Sequence, residues 1–164
     1  VYGTKAFLPH LKASGEGHVI NTSSVFGLIG VPTQGTYNAT KFAVRGFTEA
    51  LRQELDLQGS AVSATSVHPG GIKTNIANAA RFDDSASSIT GQSQEDSKRN
   101  FEKLFRTTAA DAAAVILKGV KKNSRRVLIG SDAYLIDTMQ RILPSTYQRL
   151  LGSAAKRQKN KSRG

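Results

Sequence analysis

The 164-residue sequence predicts an α/β fold built on a parallel sheet. Short runs of β-branched and apolar residues at 17–24, 61–67 and 126–130 are typical of strands, and longer segments with helical apolar spacing separate them. Strand, long helix, strand is the βαβ pattern, in which a right-handed crossover joins parallel strands. We therefore expect ligands at the carboxyl ends of the strands.

The composition is typical of a globular domain, with 38% apolar and 21% charged residues. No apolar run approaches the roughly 20 residues of a membrane span, so we predict no membrane association. The absence of cysteine excludes disulfides, thiolate metal sites and cysteine nucleophiles, and it is compatible with the cytoplasmic location that we expect. His10, His18 and His68 form no metal-ligand pattern, and we predict no metal site.

The formal net charge is +11, and much of it lies in the last residues of the chain. The cations there are Lys156, Arg157, Lys159, Lys161 and Arg163. No aromatic residue is interleaved with them, which speaks against a base-stacking surface, so we predict no nucleic-acid partner. We interpret 153–164 as a solvated, disordered basic tail.

The first half of the chain divides at its glycines and prolines. Apolar spacing predicts a helix over 2–13, although Pro9 argues against it because a proline inside a helix removes a hydrogen bond. The strand at 17–24 ends in small polar residues, and the glycine-rich segment 25–35 follows it as a loop. A long amphipathic helix is then expected over about 36–58.

The second half begins with the strand at 61–67, and a polar insert follows at 75–100. An insert of this length after a strand is either a functional lid or a mobile loop. Beyond the insert we predict a helix capped by Thr107 or Thr108, a strand at 126–130, a helix at 132–143 ended by Pro144, and one or two turns at 147–151.

Tyr37 and Lys41 are four residues apart, so a helix places them on one face. A neighbouring ammonium favours the phenolate form of a tyrosine, which can then exchange a proton with an alcohol or carbonyl oxygen. Ser24 supplies a hydroxyl that can hold the same oxygen. The pair alone is a weak signal, since an exposed helix face with an aromatic residue and a charge gives the same spacing.

In combination, these segments resemble the short-chain dehydrogenase/reductase family. The strand ending at Ser24 precedes Tyr37 by the family's usual interval, and the run Tyr37 to Lys41 is similar to its Tyr-x-x-x-Lys motif. The segment 68–74 is similar to the family's Pro-Gly-x-x-x-Thr segment. The resemblance implies a Rossmann-type doubly wound parallel sheet that binds NAD or NADP.

The resemblance also implies roles for residues of the proton-transfer chemistry. Tyr37 would be the general acid/base and would lie against the cofactor. Lys41 would favour the phenolate and hydrogen-bond the nicotinamide ribose. Ser24 would position the substrate oxygen and stabilise charge on it.

Further roles fall on the second motif and the insert. Pro69 and Gly70 would let the main chain pass close to the nicotinamide, with Ile72 and Thr74 around its carboxamide. Residues 75–105 would form the substrate lid.

The family's glycine-rich phosphate loop has no counterpart here, because no G-x-G-x-x-G follows a strand. We therefore predict that residues 1–152 are the C-terminal part of a single Rossmann-type domain, without the family's N-terminal cofactor-binding half. Such an incomplete sheet would carry an unpaired edge, which is an aggregation liability.

Two functions are compatible with the sequence. The first is an NAD(P)-dependent oxidoreductase that interconverts a secondary alcohol and a carbonyl of a small molecule. The alternative is a non-catalytic module that acts in self-association or partner binding. The family forms its dimer and tetramer contacts through helices equivalent to 2–13 and 36–58, so the resemblance implies a homodimer or homotetramer.

Overall fold

The computed structural model of the chain describes residues 1–80, residues 105–161 and positions 89, 91, 93, 95, 96, 98 and 99 between them. The elements are α1 (Tyr2–Ala13), β1 (Gly17–Thr22), a 3₁₀ helix (Val25–Gly27), α2 (Gly35–Leu57), β2 (Val62–Pro69), β3 (Ile72–Lys73), α3 (Ile76–Ala79), β4 (Thr107–Thr108), α4 (Ala109–Lys121), β5 (Arg126–Ile129), α5 (Ser131–Ile142) and α6 (Tyr147–Lys161). Strands thus alternate with helices, and the predicted α/β class is confirmed.

Strands β1, β2 and β5 form a parallel sheet in the order β1-β2-β5. The register pairs Thr22 with Val67, and Pro69 with Ile129. Helix α2 connects β1 to β2, and α4 lies between β2 and β5, as parallel strands require. The carboxyl ends of β1 and β2 consequently lie side by side.

Two apolar clusters cover opposite faces of this sheet. One contains Val19, Leu51, Leu55, Val62 and Ala64, with Leu8, Leu11 and Phe47 packed against it. The other contains Val67, Ala112, Val127 and Ile129, with Ile72 and Ile116 packed against it. Successive side chains of a strand point to opposite faces, so Ala64 and Val67 of β2 belong to different clusters. Helices therefore cover both faces of the sheet, as in a doubly wound fold.

A second, smaller parallel pair joins β3 to β4, with Ile72 opposite Thr107 and Lys73 opposite Thr108. The sequence analysis did not predict this pair, because two-residue strands have no recognisable period. Most of the predicted lid, 75–105, falls outside the described residues.

The predicted helix over 2–13 is confirmed, whereas the last helix is longer than predicted. Helix α1 continues through Pro9, which costs it one hydrogen bond while Leu8 and Leu11 still pack on the first cluster. Helix α6 continues to Lys161 and so includes most of the segment 153–164 that we predicted to be disordered. Alanine, lysine, arginine and glutamine are strong helix formers, and they make up much of this segment.

Tyr147 anchors the start of α6, where its ring is buried and its hydroxyl accepts a hydrogen bond from the Gly30 N–H at 3.0 Å. Within the described part of the chain, no helix has the length and apolar character needed to cross a membrane.

Candidate functional site

The candidate site lies at the carboxyl edge of the sheet, where Ser24 follows β1 and Pro69 ends β2. The Ser23 N–H donates to the Val67 carbonyl at 2.8 Å, which continues the β1–β2 ladder beyond Thr22. The two segments that carry the motifs are therefore fixed next to each other.

Ser24 and Tyr37 are connected through Phe26. The Phe26 N–H donates to Ser24 Oγ at 3.1 Å, which caps the 3₁₀ helix. The Phe26 ring meets the Tyr37 ring edge to face, with centroids 6.0 Å apart and an interplanar angle of 84°. Because Ser24 Oγ accepts from Phe26, its own hydroxyl hydrogen can be donated to another oxygen.

Lys41 joins the same group from the next turn of α2. Its Nζ lies 5.5 Å from the centroid of the Tyr37 ring and donates to the Thr22 carbonyl at 3.1 Å. Burial lowers the pKa of the Lys41 ammonium from its ordinary value. The Tyr37 side chain remains 38% exposed, so a substrate can reach it. The structure thus brings Ser24, Tyr37 and Lys41 together.

The loop after Ser24 lies directly against α2 at Gly27. The Ser23 hydroxyl donates to the Lys41 carbonyl at 2.7 Å. A methyl group at Gly27 would overlap the Ser23 hydroxyl and approach the Lys41 carbonyl oxygen to 2.8 Å. Only glycine permits this close approach.

Asn38 holds the rest of that loop. Its side-chain amide donates to the carbonyls of Phe26 and Ile29 at 2.7 and 2.9 Å, and its Oδ1 accepts from the Val31 N–H at 3.0 Å. The sequence analysis assigned Asn38 no role. Its helical phase gave no signal, since the seventeen residues between Asn38 and the buried Leu55 fall about a quarter turn short of five whole turns.

Asp132, at the start of α5, holds the other motif. Its Oδ2 accepts from the Gly71 N–H at 2.7 Å, while the Gly70 N–H donates to the Ile129 carbonyl at 2.9 Å. A methyl group at Gly70 would overlap the Asp132 carboxylate. The sequence analysis missed Asp132 because it lies 61 residues from Gly71.

Ile72 and Thr74 differ in their surroundings. The Ile72 side chain is partly buried and packs against the second apolar cluster. Thr74 is exposed, and its Oγ1 lies 3.4 Å from the Ile76 N–H that donates to it. The predicted cofactor residues Pro69, Gly70, Ile72 and Thr74 thus lie on one segment, which begins at the last residue of β2.

The parallel sheet covered by helices on both faces, with its candidate site at the carboxyl edge, defines the chain as a Rossmann-type α/β protein. The sequence profile of the short chain dehydrogenase family matches residues 1–85, about half of the chain. The chain belongs to the short-chain dehydrogenase/reductase family, as its motifs predicted.

Named relatives agree with this assignment. A Mycobacterium tuberculosis protein, SadH, whose name describes it as an oxidoreductase, is 49% identical over 154 residues, covering 93% of this chain and 54% of the relative. Dehydrogenase/reductase SDR family member 7B of Danio rerio is 32% identical over 164 residues, covering 96% of this chain and 48% of the relative. The chain spans about half the length of the curated relatives it matches.

Solved structures show the same fold. A short-chain dehydrogenase/reductase from Burkholderia phymatum in complex with NAD is 26% identical, with a TM-score of 0.71, and covers 85% of this chain and 52% of that one. A short-chain dehydrogenase from Burkholderia cenocepacia in complex with NADP has a TM-score of 0.67 at 22% identity, covering 90% of this chain and 52% of that one. These likenesses confirm the predicted Rossmann-type fold. The chain corresponds to about half of each solved structure, so its fold is incomplete relative to theirs.

Proposed function

We propose that the chain forms the catalytic part of an NAD(P)-dependent oxidoreductase that interconverts a secondary alcohol and a carbonyl. The observation that carries the proposal is the grouping of Ser24, Tyr37 and Lys41 at the carboxyl edge of the sheet. Phe26 contacts both Ser24 and Tyr37, and Lys41 lies beside the Tyr37 ring. The named relatives and the structures solved with NAD and NADP support the same class of chemistry.

The three residues of the grouping have different roles in the proton transfer. In the oxidising direction Tyr37 takes the hydroxyl proton of the alcohol as the carbonyl forms, and in the reducing direction it returns that proton to the oxygen. The Ser24 hydroxyl donates to the same oxygen and stabilises the charge that develops on it. Lys41 holds an ammonium 5.5 Å from the centroid of the Tyr37 ring, on the same helix face.

The described residues fit the nicotinamide end of the cofactor by their donor chemistry. Lys41 and Tyr37 offer an ammonium and a phenol to ribose hydroxyls, and the exposed Thr74 hydroxyl lies on the segment that would face the carboxamide. The bound nicotinamide supplies or accepts the hydride. We assign Pro69, Gly70, Ile72 and Thr74 to this end, and residues 75–105 to the substrate lid.

Cofactor binding tests the proposal first. NADH and NADPH are titrated by calorimetry into the 164-residue chain and into an extended chain, in which it is joined to the part of the Mycobacterium tuberculosis relative that it does not span. We expect binding by the extended chain and much weaker binding by the chain alone. Absence of binding in both forms would favour the non-catalytic alternative.

Turnover is then compared in Tyr37→Phe and Tyr134→Phe variants of the extended chain. Tyr134 is an exposed tyrosine on α5 and serves as the matched control. Loss of the phenol as proton donor should lower kcat by about 10²-fold or more in Tyr37→Phe alone. Unchanged turnover in Tyr37→Phe would refute the assignment of Tyr37.

Self-association through helices α1 and α2 is a second part of the proposal. No residue of α1 is buried, and Phe7 remains 69% exposed. Phe42 on α2 is also exposed. Light scattering of wild-type protein should show a dimer or tetramer that dissociates on Phe7→Ser, whereas Lys5→Ser, another exposed α1 change, should leave it intact. A wild-type monomer would contradict this part.

A further inference from the structure

His68 lies between the two motifs of the candidate site, and the proposed chemistry gives it no role. Its side chain is 0% exposed, although it immediately precedes the Pro69–Gly70 turn. Nδ1 lies 3.0 Å from the carbonyl oxygen of Ser24, and Nε2 lies 2.9 Å from Ser66 Oγ. Both ring nitrogens therefore have partners.

The hydrogen-bond partners determine the tautomer of the His68 ring. A carbonyl oxygen only accepts hydrogen bonds, so Nδ1 must carry the hydrogen that it donates to Ser24. Burial lowers the pKa of His68, and the nearby Arg126 and Arg45 lower it further, against the opposing effects of the Ser24 carbonyl and Glu49. A neutral ring protonated at Nδ1 leaves Nε2 to accept the Ser66 hydroxyl hydrogen.

We infer that His68 is a positioning residue, which fixes the main chain at Ser24 and so aims the Ser24 hydroxyl at the reacting oxygen. The hydroxyl oxygen of Ser24 is held by the Phe26 N–H, and its carbonyl is held by His68. Because His68 belongs to the strand that delivers Pro69 and Gly70, the same bond sets the distance between the serine and the cofactor segment. This inference rests on the proposed oxidoreductase function.

Two substitutions separate the two hydrogen bonds of the ring. His68→Asn places an amide N–H near the position of Nδ1 and retains the bond to Ser24. His68→Gln reaches toward Ser66 and loses the bond to Ser24. Thr65→Val is the control, because Thr65 is equally buried on β2 and its hydroxyl bonds His18 and the Ser124 carbonyl, away from Ser24.

Kinetics of the extended chain give the first readout. Misplacement of the serine should lower kcat by about tenfold to a hundredfold in His68→Gln, with the cofactor KM changed by less than about threefold. His68→Asn should recover most of this loss, and Thr65→Val should keep the wild-type kcat. Equal kcat losses in His68→Gln and Thr65→Val, or none in His68→Gln, would overturn the inference.

Nuclear magnetic resonance of the 164-residue chain gives a readout that needs no activity. Ring nitrogen shifts should show a neutral His68 protonated at Nδ1, and the carbonyl carbon of Ser24 should shift in His68→Gln but not in His68→Asn. A ring protonated at Nε2, or an unaltered Ser24 shift, would refute the positioning role. An inactive wild-type extended chain would refute the proposed function alone, since these shifts still decide whether His68 holds Ser24.

Discussion

The two halves of the candidate site are held in place differently. On the proposed proton-transfer side, residues 23–41, the buried side chains of Asn38 and Ser23 tie the loop to α2, and the partly buried Lys41 bonds the end of β1. On the cofactor side, residues 69–74, the main chain is tied by the Asp132 carboxylate, by one bond to Ile129 and by the short β3–β4 pair. The fold therefore preorganises the residues proposed to transfer the proton, whereas the segment proposed to bind the cofactor is held by fewer contacts.

The largest effect should come from Asn38→Ala on the proton-transfer side. Two carbonyls and one N–H would lose their partner in a buried loop, and the free energy of unfolding should fall by about 2–4 kcal/mol. Urea unfolding measures the loss, and Thr40→Ala, an exposed change on the same helix, should cost under about 0.5 kcal/mol. Similar losses in both variants would show that the hydrogen bonds of Asn38 do not hold the loop.

On the cofactor side, Asp132→Ala should cost less. It removes one charge-assisted hydrogen bond from a partly exposed turn, worth about 1–2 kcal/mol of unfolding free energy. The extended chain should also bind NADH more weakly, because the Gly70–Gly71 turn is no longer held. Asp132→Asn keeps an acceptor and should recover part of both losses. An asparagine variant as weak as the alanine variant would show that the bond to Gly71 is not the cause.

Glu49 connects α2 to β5 beneath the site and should make stability depend on pH. Burial acts to raise the pKa of Glu49, but hydrogen bonds from Arg126 at 2.8 Å and Arg45 at 3.0 Å outweigh it and hold the pKa below 4.5. A carboxyl with a lowered folded-state pKa contributes stability that is present above its unfolded pKa and is lost as the pH falls through the folded value.

The test compares wild type with Glu49→Gln. Glu49→Gln should lower Tm at about pH 7, and the difference from wild type should shrink as the pH falls through the lowered folded-state pKa of Glu49. A difference that does not change with pH would mean that the ion pairs of Glu49 do not cause it.

The smallest effect is expected at Arg141. This residue is the exposed end of a chain of ion pairs that runs from Glu49 through Arg126 and Asp137. Arg141 donates to Asp137 at 2.8 Å, but its side chain is 59% exposed. Arg141→Ala should change the unfolding free energy by no more than about 0.5 kcal/mol. Arg126→Ala is the sharper contrast, since Arg126 is 23% exposed and bonds both Glu49 and Asp137. Equal losses in thermal unfolding would show that burial does not rank these contacts.

The sequence predicted the features that depend on local pattern. The strands leading to Ser24 and Pro69 were found from β-branched runs, and α2 from its apolar spacing. The Tyr-x-x-x-Lys motif identified Tyr37 and Lys41 from the sequence alone. The structure brings both residues close to Ser24, and their catalytic roles stay predictions.

The features that sequence analysis missed depend on long-range contacts. Asp132 meets Gly71, and His68 meets the Ser24 carbonyl, across separations of 61 and 44 residues. No period or propensity marks such pairs. The two-residue strands β3 and β4 were missed for the same reason, since their pairing is defined by the tertiary fold alone.

The β3–β4 pair has a consequence for how relatives of this chain can diverge. By pairing Ile72 with Thr107, it fixes the two ends of the stretch between them beside the proposed cofactor segment. The entropy of closing a flexible loop rises only logarithmically, so doubling its length costs about 0.6 kcal/mol. We therefore expect a change in the length of the stretch between these strands to cost little stability, as long as the β3–β4 pair is kept. The region proposed to bind the substrate can then change in sequence and length among relatives, while the residues proposed to transfer the proton keep their positions.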